Sequence, residues 1–350
     1  MIKVLDCKNR LYLKRLSNIL DNRRNAENSE ISIVKKILAD IKKNKLKALK
    51  KYEFKFSKNN QIKISRDQIK KSIKNLDPKV KKAIDFAYRR IFNFHIQQKK
   101  TLQNILYKDR FGNKLEYKIV PIESVGFYVP GNLPSTLLMN TIPAKIAKVR
   151  RLVLATPKIN GKLNSAVLYA ATKVGIKEIY SMGGAQAIAS LAFIQSVNKI
   201  VGPGNKFVAE AKKQLSDNLI GTESMYCGAS EICILADKDT NLNQVATSLV
   251  SQAEHDPDSQ CILVTKDKNL IKNINYKIKN ILKNIPRKKI AQKSLIKNGL
   301  VIKVYTDKQI VDVINQIAPE HLEINVRNFK KYEKKIINAG SICNGQYTPM

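Results

Sequence analysis

The chain has 350 residues, 43% of them hydrophobic, with 64 lysines and arginines against 28 acidic residues, a net charge of +36. That is enough chain for two or three domains with cores of their own. No stretch reaches the roughly 18 apolar residues of a membrane span, and Met1-Ile2-Lys3-Val4-Leu5-Asp6-Cys7 lacks the apolar core and small-residue cleavage site of a secretory signal, so a cytoplasmic protein is expected.

The first hundred residues read as helical. Val34, Ile37, Leu38 and Ile41 follow the i, i+3, i+4, i+7 rule for one buried face, with Ser29 placed to cap the run. A second stripe comprises Ala83, Phe86, Ala87, Ile91 and Phe94, with His95 beside it as a packed or surface histidine. From about residue 116 the rhythm changes. Leu152–Thr156 reads as a buried strand ended by Pro157, and Ala166–Val174 as a helix closed by Gly175. Ile176–Tyr180, Ala185–Phe193, Lys199–Val201 and Asn205–Leu215 continue as strand, helix, strand, helix. After an aperiodic crossover at 221–228 the alternation resumes. Strands are predicted at Ile232–Ala236, Cys261–Thr265 and Val301–Tyr305, and helices at Leu242–His255 and Asp307–Ile317. Strands alternating with helices at this spacing give an α/β class with parallel, Rossmann-like sheets.

Five segments could carry chemistry. Gly126-Phe127-Tyr128-Val129-Pro130-Gly131 ends an apolar run in a turn, and ligands of open α/β sheets bind beyond strand ends. Gly183-Gly184-Ala185-Gln186 and Gly202-Pro203-Gly204-Asn205 each follow a strand and open a helix, where backbone N–H groups can meet a phosphate or a ring. Neither is a G-x-G-x-x-G fingerprint, so nucleotide binding and ordinary turns both remain open. In Ser251-Gln252-Ala253-Glu254-His255-Asp256, Gln252 and His255 are three apart, share a helix face and could reach one cation; a polar helix end is the alternative. Ala318-Pro319-Glu320-His321-Leu322-Glu323 places an imidazole suited to proton transfer near neutrality beside a carboxylate that could activate water, or is a polar surface loop.

The five cysteines, Cys7, Cys227, Cys233, Cys261 and Cys343, contain no C-x-x-C pair, which argues for reduced, mostly buried thiols and against a disulfide framework. The basic excess is spread along the chain with many Ile and Asn residues, as AT-rich codons produce, and no zinc-finger or RNP-type motif accompanies it. Specific nucleic-acid binding is not expected; non-specific, salt-sensitive binding is.

Together and in this order the five segments resemble the histidinol dehydrogenase family, with a match running from near residue 30 to residue 348. The resemblance implies a homodimeric enzyme that oxidises L-histidinol to L-histidinal and then to L-histidine with two NAD, and that holds one zinc per site. By position, Tyr128, Gln186 and Asn205 would contact NAD and Ser230 the substrate. Gln252 and His255 would bind zinc and, with His321, substrate; Glu320 and His321 would be the catalytic pair. The implied architecture is two incomplete Rossmann-like parallel-sheet domains with a helical N-terminal region. Residues 1–122 with 231–350 would form the larger and residues 123–230 the smaller, NAD-contacting domain.

Two departures from the family pattern stand out. Gly228-Ala229-Ser230-Glu231 replaces the usual Gly-Pro-Ser-Glu, with an atypical Glu223–Cys227 before it. The family's zinc-binding Asp in a Gly-Asp-Tyr segment, and a tail with a substrate-binding Glu and a second-subunit zinc His, are absent from the 350 residues. A catalytic zinc normally takes about three protein ligands. The chain as written is therefore expected to bind zinc poorly and to turn over histidinol slowly or not at all. A remnant that keeps the fold without activity, and a basic nucleic-acid scaffold, are the alternative readings.

Overall fold

The computed structural model describes residues 2–24, 29–216, 219–223, 230–345 and 347–348. In chain order the elements are β1 (Lys3–Asp6), α1 (Tyr12–Arg24), α2 (Ser29–Ser57, kinked at Lys45), α3 (Arg66–Lys74), α4 (Pro78–Lys100), β2 (Ile105–Lys108), β3 (Lys114–Tyr117), β4 (Ser124–Tyr128), α5 (Pro134–Ile146), β5 (Arg151–Ala155), α6 (Ser165–Val174), β6 (Glu178–Tyr180), α7 (Gly184–Phe193), β7 (Lys199–Val201), α8 (Lys206–Ser216) and β8 (Gly221–Thr222). Then follow β9 (Glu231–Ala236), α9 (Leu242–Ala253), β10 (Gln260–Thr265), α10 (Lys268–Leu282), α11 (Lys288–Asn298), β11 (Gly299–Lys303), α12 (Asp307–Ile317), β12 (His321–Asn325), α13 (Lys330–Glu333) and β13 (Ser341–Asn344). They fall into two compact units, Asn28–Gly228 and Met1–Glu27 with Ala229–Met350.

The unit Asn28–Gly228 is built on a parallel sheet of order β6-β5-β4-β7-β8. Its central strand β4 is buried at every position, as a parallel sheet covered on both faces requires. One face is covered by α7, seven of whose ten residues are buried, and by α8. Val34, Ile37, Leu38 and Ile41 of α2 are all buried, and they join this core with Ile188 and Val208. Ile69 of α3 and Ile84 of α4 join the opposite core with Phe127, Leu138 and Leu168. The helices from Ser29 to Lys100 thus pack on the middle sheet, whereas the sequence grouping placed residues 1–122 with the C-terminal strands. The apolar stripe of α2 decides the matter, because its partners lie on α7 and α8.

The expected stripe on α4 is only half realised. Ile84 is buried, but Phe86 and Phe94 are 55% and 62% exposed. His95 hydrogen-bonds Gln98 Oε1 at 2.5 Å, a local surface contact. After α4 the antiparallel pair β2–β3 projects with every residue exposed.

The other unit carries a six-stranded parallel sheet, β1-β11-β10-β9-β12-β13. β1 pairs in register with β11, Lys3 opposite Leu300, so the chain's first strand lies at the sheet edge. It had not been expected, since its burial pattern has a single buried position in four residues. Helices α9, α10 and α11 cover one face and α1 and α12 the other. α12 begins at a capping box, where Thr306 accepts from Gln309 N and the Gln309 side chain returns to the cap. Cys7, Cys233 and Cys261 are buried and Cys343 half-buried, none of the four in a disulfide; Cys227 and the Gly228-Ala229 departure lie outside the described residues.

Candidate active site

The Glu320-His321 segment is no loose loop. α12 ends on Ala318 in a left-handed conformation (φ +49°), and after Pro319 the chain enters β12 at His321. Gly340 N donates to Pro319 O at 3.0 Å and Ser341 N to Glu320 O at 2.9 Å. A Cβ on Gly340 would stand 2.6 Å from Glu320 O, so this close approach needs glycine. From the other side both functional groups are held by one residue of β9. Glu231 N donates to Glu320 Oε2 at 3.2 Å, and His321 Nδ1 lies 3.2 Å from Glu231 O. An imidazole that donates through Nδ1 to a carbonyl presents an unprotonated Nε2, a base. Glu320 Oε2 lies 3.7 Å from His321 Nδ1, and both side chains are 33% exposed, reachable by a small molecule.

Ser230 is adjacent to this clamp, its carbonyl accepting from Gln260 N at 2.9 Å where β9 and β10 start. The constellation therefore sits at the amino edge of the parallel strands, not beyond the carboxyl ends where the general rule for open sheets puts ligands.

Gln252 reaches the same edge from α9. On β12, His321, Glu323 and Asn325 share one face. Glu323 is buried, is bonded by Asn325 Nδ2 at 2.9 Å and by the Ser248 hydroxyl, and has its carboxyl raised by burial. Gln252 is one helical turn beyond Ser248, and His321 is two residues before Glu323. As a crossover helix, α9 runs antiparallel to the strands, so both steps, each about 6 Å, lead to the amino edge. Gln252 is 8% exposed and its amide Nε2 is buried without a partner. Gln244, two turns earlier, likewise has an unpartnered Oε1.

His255 departs from expectation. α9 ends at Ala253 with Glu254 as its cap, and His255 lies on the following turn, its N–H donating to Gln252 O at 3.2 Å. Its side chain is exposed while that of Gln252 is buried, and Arg287 Nη2 donates to its carbonyl at 3.2 Å. The two do not share a helix face in the way the spacing alone predicts. Among the described residues no group of three His, Cys, Asp or Glu side chains could hold a metal.

In the unit Asn28–Gly228, Tyr128, Gln186 and Asn205 lie at the turns that follow β4, β6 and β7. Tyr128 ends β4 and is 6% exposed; its hydroxyl accepts from Gly184 N at 3.3 Å, and burial raises its phenol. Gln186, in the first turn of α7, is 3% exposed, and its Nε2 donates to Glu53 at 2.9 Å. Asn205 precedes α8, and its Oδ1 accepts from Phe207 N and Val208 N, both at 3.2 Å. The glycines of these turns serve chain-to-chain approach. A Cβ on Gly202 (φ +120°) would lie 1.9 Å from Tyr128 O, and one on Gly204 2.3 Å from Val208. Glu53, Glu231 and Glu323 were missed by sequence reasoning. Glu323 was within reach, because two-residue alternation with His321 marks a shared strand face; Glu53 sits in an undistinguished helix, 130 residues from its partners.

Two parallel α/β sheets, polar strand-to-helix turns in one unit and an anchored carboxylate–imidazole pair in the other define an α/β protein equipped for acid–base chemistry, and the relatives below make its class an oxidoreductase. The comparisons give the family. The histidinol dehydrogenase family model matches residues 20–350, and the chain belongs to that family. It is 51% identical over 358 aligned residues to the histidinol dehydrogenase of Pelagibacter ubique, covering all of this chain and 83% of that protein. Histidinol dehydrogenase 1 of Trichormus variabilis is 44% identical over 277 residues, 77% of this chain and 63% of that one. The crystal structure of histidinol dehydrogenase from Elizabethkingia anophelis matches with a TM-score of 0.90 at 34% identity, over 99% of this chain and 81% of that one. At the level of fold alone, methylmalonate-semialdehyde dehydrogenase from Oceanimonas doudoroffii aligns over 97% of this chain and 82% of its own, with a TM-score of 0.53 and 12% identity.

Proposed function

We propose that the protein oxidises L-histidinol to L-histidine through histidinal, with NAD as the hydride acceptor. The observation that carries this reading is the Glu320–His321 pair clamped on Glu231 at the amino edge of β9 and β12. His321 Nε2 takes the alcohol proton as the carbinol carbon gives up its hydride. Glu320 then takes a proton from water as the water adds to the aldehyde, and the hydrate loses a second hydride and a proton to give the acid. Ser230, Gln252, His255 and His321 bind the substrate.

Tyr128, Gln186 and Asn205 contact NAD, whose chemistry here is to accept hydride. Their free polar atoms fit its ribose and carboxamide edges: a Tyr128 hydroxyl proton, a Gln186 acceptor and the Asn205 Nδ2 donor. Zinc fits less well. Gln252 and His255 supply two donors among the described residues, short of the usual three, so no step is assigned to a metal. A homodimer belongs to the same reading, supported by the exposed β2–β3 arm; an isolated hairpin is marginal in water.

The test is NADH formation by the purified chain given NAD, L-histidinol and increasing zinc. The expected result is slow turnover with two NADH per histidinol, and sub-stoichiometric zinc after dialysis. His321→Gln should lower the rate by roughly 10²–10⁴-fold, and Glu320→Gln should stop the reaction after one NADH. Absence of NADH at saturating zinc, or parental turnover by His321→Gln, would sink the reading.

A further inference from the structure

The polar atoms that the nucleotide-facing residues have to offer are fixed from behind by one buried carboxylate. Glu53 lies in α2 and is 1% exposed. It accepts from Gly183 N at 2.9 Å and from Gln186 Nε2 at 2.9 Å. Asn59 also bonds it, and Asn59 is itself held by Ser181 O at 2.7 Å and by Lys158 Nζ at 2.9 Å. Burial raises the Glu53 carboxyl, and the donors around it oppose that shift, the condition under which a buried charge is tolerated.

Two consequences follow for a ligand. With one NH₂ hydrogen committed to Glu53, the Gln186 amide cannot turn over, and Oε1 is the acceptor it offers. Gly184 (φ +61°) makes room for that orientation, since a Cβ there would stand 2.9 Å from Oε1. Second, an amide at the N-terminus of α7, where anions ordinarily dock, already carries a carboxylate. A phosphate brought to Gly183 would meet Glu53 first.

We propose that Glu53 is the positioning residue of the nucleotide site: it holds Gln186 as an acceptor and fills the Gly183 amide, so that this turn receives a hydrogen-bond donor of the dinucleotide, a ribose hydroxyl or the carboxamide NH₂, and not its phosphates. This rests on the reading that Tyr128, Gln186 and Asn205 contact NAD. A carboxylate accepts from Gly183 and Gln186 at once. Gly183 N and Gln186 Nε2 converge on Oε1 and Asn59 bonds the carboxylate as well, so the amide of Glu53→Gln must turn its own NH₂ either on that pair or on Asn59.

The experiment is a double-mutant cycle on NAD affinity, measured calorimetrically on the full 350-residue chain with Glu53→Gln, Gln186→Ala and both together. Loss of one hydrogen bond of this charge-assisted chain predicts a Kd for NAD about tenfold weaker in each single variant. Because Glu53 acts through Gln186, the double variant should be weaker than the poorer single by less than threefold. A merely structural role for Glu53 would multiply the two effects. Where Glu53→Gln does not fold, Glu53→Asp, which keeps the charge and shortens its reach, is read in the same cycle. The inference is overturned if the Glu53 variant binds NAD within twofold of the parent, or if the two effects multiply. If Gln186→Ala itself leaves the Kd unchanged, the nucleotide assignment has failed and the inference goes with it. A weakened Gln186→Ala beside an unaffected Glu53 variant removes the inference alone.

Discussion

Lys212 shows how single residues hold the turns in place. It is 2% exposed on α8, and its ammonium donates to Gly202 O at 2.8 Å and pairs with Glu223. That bond presses the Gly202-Pro203-Gly204 loop against the Tyr128 backbone and sets where Asn205 begins. Lys212→Met leaves Glu223 without its cation. Breaking a buried pair from one side costs about 3 kcal/mol, at the low end here because the Glu223 side chain keeps 27% exposure. Urea unfolding should show that loss, together with weaker NAD binding; an unchanged midpoint would mean the pair is dispensable. Lys212 and Glu53 illustrate what one sequence cannot disclose: each is an ordinary helix residue whose partner is defined only when the sheet closes. The thiols were legible, because free cysteine behaves as a small hydrophobe, and burial pushes Cys7 up to about 11.

At the scale of elements, strands with continuous apolar runs were found, though not always to the residue: Val301–Tyr305 was expected where β11 spans Gly299–Lys303. Cys261–Thr265 forms β10 together with Gln260, and Asp307–Ile317 is α12 to the residue. β12 was not anticipated, because Pro319, Glu320 and His321 look like a loop and only Leu322 and Ile324 carry strand character. The Gln252–His255 geometry was misjudged for a related reason: a helix read from apolar period alone has uncertain ends, and α9 stops two residues before the histidine. The start of α12 allows a pH test. Lys266, then Lys331 and Tyr332, hold the Asp307 carboxyl far below the ordinary carboxylate range. A lowered pKa stabilises the fold above the unfolded value of about 3.9, and that contribution is lost as pH falls through the folded value. Asp307→Asn should cost about 1 kcal/mol or less near neutrality, since the side chain is 38% exposed. Denaturation curves of parent and variant should draw together as pH falls below about 4; a gap that does not narrow in acid would exclude the charge as its cause.

At the scale of the molecule, the class, the parallel sheets and the order of the functional segments were all visible in the sequence. The attachment of α2–α4 to the middle sheet was not, because an amphipathic helix shows that it buries a face without showing against what. The charge of +36 also belongs here. It is distributed over solvated helix faces such as Lys42-Lys43 and Lys330-Lys331, so it creates a general attraction for polyanions. Binding to duplex DNA of any sequence should fall at least tenfold between about 50 and 200 mM salt; affinity that survives this range for one sequence only would revive a nucleic-acid function. Among the described residues no helix is long and apolar enough to cross a membrane.

The pairing of Lys3 with Leu300 has a consequence for how the molecule comes into being. A ribosome releases β1 almost three hundred residues before β11. At about 5–20 residues per second the interval is on the order of 15–60 s. During that time the middle unit can close around its own sheet, while the leading strand must wait, unpaired, for a neighbour not yet made. Its shortness and the charges at its two ends, Lys3 and Asp6, make it a poor template for stray β-pairing, which suits a segment made long before its partner.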